Sequence, residues 1–378
     1  MNTFWKLSAL ALSVGLVTGA VAQPRTASGS FGDLTWTASS MLTGATNTGA
    51  PTLSGDALFH PGFPNAAYSG VVGLLVTYTG VGSFVCSGTL MNDRQSILTA
   101  AHCVTNGPGL TLPASTTVFF QPTAGVATGN SIYDFGSGAT TIAASSYFVN
   151  PLYNGDVINQ NDIAVIRMST VAPATAASYG FRTTSPEGLN FNVAGYGNLG
   201  AGATGSIALT TGRLRQGNNL YDFRLGNALF GTNWATVLGE PFAQIENSFL
   251  SDFDNSLAAN DTACRVTQAS IFGGVPGTTF CNLGLGNREV GIAGGDSGGP
   301  NFISGLVAGV NSYGLSFGTD FGDVSAALNS SFGEFSGYVP THIHTAFITA
   351  SLVPEPGTYA MLALGLVAVA GVARRRKA

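Results

Sequence analysis

Gly-Asp-Ser-Gly-Gly-Pro, at Gly295–Pro300, is the stretch around which the chain is organised. Acyl transfer needs a hydroxyl on a tight turn, with backbone N–H groups beside it aimed at the carbonyl oxygen that becomes an oxyanion. Ser297 is the candidate nucleophile. Gly295, lacking a Cβ, can take a backbone conformation closed to other residues and point its N–H, with that of Ser297, into one hollow. That pair is a candidate oxyanion hole. The chain holds 52 glycines, so the same string also reads as a glycine-rich surface turn. A serine is inert without a base, and its partners decide.

Ile97–Cys103 reads Ile-Leu-Thr-Ala-Ala-His-Cys, and Asn161–Met168 reads Asn-Asp-Ile-Ala-Val-Ile-Arg-Met. In the order His, Asp, Ser, these three separate strings resemble the chymotrypsin/trypsin family of serine endopeptidases. The order Ser, Asp, His of lipases and esterases is contradicted. The resemblance implies an all-β fold of two six-stranded antiparallel β-barrels, with the active site in the cleft between them. It also implies His102 as general base, Asp162 as its orienting carboxylate, Ser297 as nucleophile, and Gly295 and Ser297 as the oxyanion hole. Ala194-Gly195-Tyr196-Gly197 is similar to the family's Ser-Gly-Trp-Gly opening of the second barrel, and Asn311-Ser312-Tyr313-Gly314 to the strand that holds the substrate backbone. The likeness covers about residues 60–350.

Further roles follow from the resemblance. The residue six positions before the nucleophile lies at the base of the family's primary pocket, and here it is Gly291, followed by Ile292. An uncharged base cannot repay the desolvation of a buried ammonium or guanidinium. With Ser312, Tyr313 and Gly314 along the wall, the expected preference is for large apolar side chains. Glu289 would reverse it if a two-residue slip brought its carboxylate in. The resemblance pairs Cys86 with Cys103 and Cys264 with Cys281, free thiols being the alternative. A further family bridge would reach the position held by Ala293, and its loss leaves the pocket wall less constrained. The family's mature chain starts with Ile-Val-Gly-Gly and folds the new amino group onto the Asp beside the nucleophile, here Asp296. No such tetrapeptide and no Lys or Arg lies near His60, where that start should fall. How Asp296 is neutralised is left open, and with it the alternative of a catalytically silent surface binding protein.

Only 9% of the 378 residues are charged, which with abundant Gly, Ser and Thr suits many short strands and tight turns. Strands are expected at Val71–Thr79, Ser83–Met91, Ser96–Ala100, Thr117–Gln121 and Asp162–Met168. The second barrel would draw on Asn190–Tyr196, Ile207–Arg215, Asn219–Arg224, Leu306–Tyr313 and Tyr338–Ile343, with Gly226–Asp261 as loop and some helix. The barrels divide near residues 185 and 186.

Met1–Ala22 carries Lys6, an apolar run and Ala20-Val21-Ala22, the pattern of a signal peptide cut by signal peptidase. Residues 23–59 read as a pro-segment, linker or extra strand pair. From Ser351, Val353-Pro354-Glu355-Pro356-Gly357 precedes an apolar run and Arg-Arg-Arg-Lys, which resembles the PEP-CTERM sorting signal read by an exosortase-type enzyme in Gram-negative bacteria. Tyr359–Ala373, 15 residues, spans about 22 Å as a helix against a bilayer core of about 30 Å, so any membrane association is transient or marginal. Removing both termini takes away five basic residues (Lys6, Arg374, Arg375, Arg376, Lys377) and one acidic (Glu355), leaving nine basic against eighteen acidic. A body so acidic excludes nucleic acid as a partner. The expected substrate is polypeptide, the location periplasmic, cell-surface or extracellular, and no cofactor is called for.

Among the remaining candidates, His342 and His344 alternate as on a strand, without carboxylate or cysteine support for a metal. Asp134 and Asp156 also lie between His102 and Ser297. Only Asp162 immediately precedes an apolar strand, which would bury its carboxylate against the imidazole.

Overall fold

The computed structural model describes residues 25–352 except 33, 41–58, 60, 63, 108, 123–130, 134–136, 209, 273 and 276. The expected signal peptide, most of the 23–59 segment, His60, Asp134 and the tail from residue 353 lie outside the described residues. What is described of the 23–59 segment contains an antiparallel hairpin of β1 (Thr26–Phe31) and β2 (Leu34–Ser39).

Six strands close a barrel: β3 (Val71–Tyr78), β4 (Gly82–Leu90), β5 (Ser96–Thr99), β6 (Ser115–Phe120), β7 (Thr140–Val149) and β8 (Ala164–Met168), in the order β3-β4-β5-β8-β7-β6. Val72, Leu74, Val76, Leu90, Ile97, Val118 and Ile166 fill it and exclude water. Closure leaves no free edge except at the barrel mouth. The expected strands fall within a few residues of these bounds, and β7 is additional. Its Thr-, Ala- and Ser-rich face is largely solvent-exposed, so it lacks the apolar signal that marks its neighbours.

The second unit differs from a closed six-stranded barrel. Among the described residues it is an open sheet built from β9 (Asn190–Gly195), a separate two-strand ribbon of β10 (Gly200–Ala201) and β11 (Gly205–Ser206), then β12 (Arg215–Leu220), β13 (Phe223–Arg224), β14 (Phe249–Asp252), β15 (Pro300–Ile303), β16 (Leu306–Ser316) and β17 (Phe335–Pro340). The main path runs β12-β9-β15-β16-β17-β14-β13, and β2 joins the free side of β16. Aromatic rings hold it: Phe191, Tyr221, Phe249 and Tyr338 meet with centroids 4.3 to 5.5 Å apart. On the other side Trp234, Phe223, Phe230, Phe272, Phe280 and Phe317 cluster under the short helices α1 (Asn233–Leu238), α2 (Phe242–Ile245) and α3 (Thr262–Gln268). Asp261 caps α3 by accepting from the Cys264 N–H at 2.8 Å.

Two expected strands are corrected. The described residues of Ile207–Arg215 are mostly irregular, because Gly212 takes φ +100° and approaches Ser131 so closely that a Cβ would stand 1.8 Å from its Oγ. His342–His344 is a 3-10 turn leading into α4 (Thr345–Ser351), because β17 ends at Pro340, which has no N–H to continue a ladder. Both disulfides implied by the resemblance are present, Cys86–Cys103 and Cys264–Cys281.

One feature of the second unit is costly. Asp252, Asp254 and Glu289 are buried and Asp222 is half-buried beside them, Asp222 accepting from the Asp252 N–H at 2.9 Å and Glu289 from the Asp254 N–H at 3.2 Å. Burial first, then the charge of Asp254, pushes the Glu289 carboxyl up to about 9. An acid raised in the folded state contributes stability that is fully present below its unfolded value and lost as pH rises through the folded one. The fall in melting temperature between about pH 5 and 9 should therefore be shallower in Glu289→Gln than in the parent, whatever the variant's absolute stability. Parallel melting curves over that range would contradict this account.

Candidate active site

His102 sits in the 3-10 turn Ala101–Cys103 directly after β5, and Asp162 directly before β8. Because β5 and β8 are antiparallel neighbours with Thr99 opposite Ala164, both residues emerge at the same barrel end. The His102 N–H donates to Asp162 Oδ1 at 2.8 Å, and its ring Nδ1 lies 2.6 Å from Oδ2. Ser312 Oγ donates to the same Oδ2 at 2.6 Å, so the second unit holds the carboxylate too. Burial alone would raise the Asp162 carboxyl, but the His102 charge and these three hydrogen bonds outweigh it and hold it below the usual range.

Ser297 lies on the turn before β15. The Asp296 N–H bonds Ala293 C=O at 2.7 Å, the Gly299 N–H bonds Asp296 C=O at 2.8 Å, and Ser297 C=O accepts from the Ser87 N–H at 2.8 Å. Gly298 is obligatory, since at φ +81° a Cβ would stand 2.0 Å from Thr99 Oγ1. Among the described residues nothing accepts from the N–H of Gly295 or Ser297. The Ser297 hydroxyl itself donates to the backbone C=O of Ser40 at 2.9 Å, not to His102, whose Nε2 lies 3.9 Å from Cys103 Sγ. His102 and Asp162 are thus paired, while the serine is engaged elsewhere.

Sequence reasoning missed what neutralises Asp296. Arg215, at the start of β12, forms an ion pair with Asp296 Oδ2, and the Gly197 N–H donates to Oδ1 at 2.8 Å. Phe59 packs beside them, with its C=O accepting from the Gln216 N–H at 2.9 Å. The hollow lined by Phe59, Val193, Arg215, Gly291, Ile292 and Asp296 keeps only about 20 Å³, room for one water at most. Ser87 was also missed: its Oγ donates to Gly295 C=O at 2.8 Å and accepts from the Tyr196 N–H at 2.9 Å, bracing the Ser297 turn. Its adjacency to Cys86 is the one signal that pointed there.

Gly291 backs onto Phe253, whose Cδ1 would lie 3.4 Å from an added Cβ. The Ile292 N–H donates to Ser336 Oγ at 3.1 Å, its C=O accepts from Ser330 Oγ at 2.9 Å, and Gly294 C=O accepts from the Asn198 N–H at 2.8 Å. These bonds fix the wall that the missing Ala293 bridge leaves unstapled. Glu289 is buried and its carboxylate accepts from the Asp254 and Leu285 N–H groups. Ser312, Tyr313 and Gly314 are buried, and the Tyr313 ring lies so close over Gly337 that a Cβ there would meet it at 2.3 Å. His344 is a structural pin, its Nδ1 3.0 Å from Asn150 Nδ2 and its Nε2 2.7 Å from Gln160 C=O. Asp156 is engaged by Asn154 at the surface.

Residues 62–219 match the trypsin family model, a span that takes in His102 and Asp162 and stops before Ser297. Residues 352–377 match the PEP-CTERM protein-sorting motif. Trypsin, alkaline B, of Manduca sexta is 27% identical over 252 residues, covering 65% of this chain and 76% of that protein. A solved structure of HL collagenase aligns with a TM-score of 0.45 and 18% identity, over 75% of this chain and 94% of that one. Among the described residues no helix is long and apolar enough to cross a membrane. The sorting motif and the two disulfides fit an exported protein. Residues 62–219 are thus similar to a trypsin domain, and the chain carries a PEP-CTERM sorting motif behind it.

Proposed function

We propose that the protein is an exported serine endopeptidase acting through His102, Asp162 and Ser297. The observation that carries the reading is the 2.6 Å contact of His102 Nδ1 with the buried, ionised Asp162, set at the cleft wall facing a glycine-locked serine turn. That contact fixes the imidazole so that Nε2 is the nitrogen left to accept a proton. Ser297 Oγ attacks the substrate carbonyl carbon, its proton passes to His102, and the oxyanion takes the N–H groups of Gly295 and Ser297. Collapse expels the amine with the His102 proton, and water then hydrolyses the acyl-enzyme. Ser312, Tyr313 and Gly314 line the path of the substrate backbone, and Gly291 with Ile292 forms the base of the side-chain pocket. Arg215 holds the turn in place of a new amino terminus.

Three substitutions test the machinery against a fluorophosphonate probe and a peptide substrate. Ser297→Ala and His102→Ala should each lower hydrolysis by about a millionfold, and together no further, because they act as one unit. Arg215→Met leaves Asp296 buried and unpaired, a penalty of about 3–5 kcal/mol, and should slow labelling of Ser297 at least ~tenfold. Additive losses, or activity surviving Ser297→Ala, would sink the reading.

The uncharged base at Gly291, backed by Phe253, favours large apolar residues before the scissile bond. In a peptide library, cleavage should fall after Phe, Tyr or Leu, and dominant cleavage after Lys or Arg would refute the apolar pocket. Export in a Gram-negative bacterium would proceed by signal peptidase cleavage after Ala22, with an exosortase-type enzyme acting on the PEP-CTERM segment. Intact mass of the released protein should lack both Met1–Ala22 and Arg374–Lys377, and retention of the basic tail would favour a plain membrane anchor.

A further inference from the structure

Strand β17 pairs along one edge of β16, and the other edge is taken by β15 over Leu306–Val310 and, beyond it, by the chain's own N-terminal hairpin. Ser39, Ala38 and Thr37 of β2 pair antiparallel with Gly314, Leu315 and Ser316. Gly314 lies two residues beyond Ser312, whose hydroxyl holds Asp162, so β2 runs along the cleft toward the paired His102 and Asp162. An extended segment adding itself to an exposed sheet edge is how peptides are commonly bound. At the end of that strand stands Ser40, whose carbonyl oxygen accepts the Ser297 hydroxyl.

The hairpin is fastened to both halves of the molecule. On the first-barrel side the Arg25 guanidinium donates to Tyr153 Oη at 2.7 Å, to Gly155 C=O at 3.0 Å, and to Thr105 C=O and Oγ1 at 2.7 and 3.0 Å. Thr105 is three residues past His102, so this clasp sits on the loop of the base. Arg25 also closes the hairpin itself, its C=O accepting from the Ser40 N–H at 2.9 Å and its N–H donating to Ser40 Oγ at 3.0 Å. On the second-unit side Leu34, Trp36 and Ala38 enter the core with Tyr313 and Leu315, and the Trp36 indole N–H donates to Val237 C=O at 3.0 Å. β1 stays largely exposed, as expected of an outer strand covering an inner one. Beneath this cover Ser297 is 0% and His102 4% exposed, which leaves no room for a polypeptide substrate while the hairpin is docked.

We propose that Leu34–Ser40, clasped by Arg25, is an intramolecular occupant of the substrate groove and holds the enzyme in an inhibited form until it leaves. The proposal rests on the peptidase reading above. The contact is that of an inhibitor and not of a substrate. The Ser297 proton points at the Ser40 carbonyl oxygen when attack requires that proton on His102 and the serine oxygen on the carbonyl carbon. The bond after Ser40 is therefore presented in a posture that cannot react.

The test uses the full chain and two loosened variants, Arg25→Ala, which removes the clasp, and Trp36→Ala, which removes the anchor in the second unit. Each is read by the rate at which a fluorophosphonate probe labels Ser297, and by intact mass. Faster labelling than the parent, by at least ~tenfold in Arg25→Ala, with residues 25–40 still attached, is the expected result, and added synthetic peptide spanning Arg25–Ser40 should slow the variant again. Labelling of parent and both variants at one equal rate would overturn the occupancy while leaving the peptidase reading intact. Absence of labelling in all three would overturn the peptidase reading, and the proposal with it. Cleavage after Ser40 in the parent but not in Ser297→Ala would show the segment to be a substrate and would overturn the inhibitory posture.

Discussion

One buried ion pair supports the turn on which everything else depends. The side chains of Asp296 and Arg215 are 5% and 8% exposed, so neither charge is solvated by water. Such a pair offsets its desolvation only with good geometry and extra hydrogen bonds, and removal of either partner is strongly destabilising. The Gly197 N–H supplies one such bond. The need for close approach explains the glycines around Tyr196: a Cβ at Gly195 or Gly197 would stand 2.3 or 2.7 Å from Asp296 Oδ1. Gly195-Tyr196-Gly197 is thus a seat for the carboxylate adjoining Ser297, and its spacing follows from that contact.

From this seat the geometry spreads outward by backbone. Asp296 C=O accepts from the Asn311 side chain at 3.0 Å and from the Gly299 N–H, which ties the turn to β16. One residue further along β16, Ser312 reaches Asp162 and thereby the first barrel. Ser87 and the Cys86–Cys103 bridge approach from the other side, so that the loop of His102 and the turn of Ser297 are both braced by β4. Apolar residues of the second unit, among them Tyr196, Val307 and Val310, share one core with the first barrel, and the hydrogen bonds from Ser87 and Ser312 cross between the units beside it as a polar seam. The seam places the base and the serine turn, and the core supplies the rigidity.

The parts legible in the sequence were those written in contiguous strings. Ile97–Cys103, Asn161–Met168 and Gly295–Pro300 each carry their own strand and turn context, so the barrel, the His102–Asp162 pair and the serine turn could be placed without coordinates. Strands with strong β-branched content, such as Val71–Tyr78, were legible for the same reason. Those with small polar faces, such as Thr140–Val149, were not. Arg215 was illegible because its meaning comes from Asp296, 81 residues away, and an arginine at the end of an expected strand looks like any surface cation. An extra strand pair was one of three readings of residues 23–59, and its docking was not legible, because Leu34, Trp36 and Ala38 show only a short alternating stripe that names no partner. Ile207–Arg215 misled because its apolar and β-branched residues match a strand while Gly212 breaks the backbone.

The absence of an Ile-Val-Gly-Gly start and the presence of the hairpin belong to one physical argument. Where the ammonium of a new amino terminus must neutralise the aspartate beside the nucleophile, cutting the chain is what assembles the turn, and the uncut chain is silent because the turn is unbuilt. Here Arg215 supplies that cation from within the folded chain, and Phe59 fills the apolar hollow beside it. The turn is therefore assembled as soon as the chain folds, and no later cut is needed to complete it. A peptidase built in that way cannot be restrained at the ion pair without unfolding the turn. Restraint has to act at the entrance to the groove, where β16 would otherwise present an unpaired edge beside an assembled centre. The hairpin clasped by Arg25 occupies that place, and its hold on the Ser297 proton is a contact that can be lost without disturbing the seam beneath it.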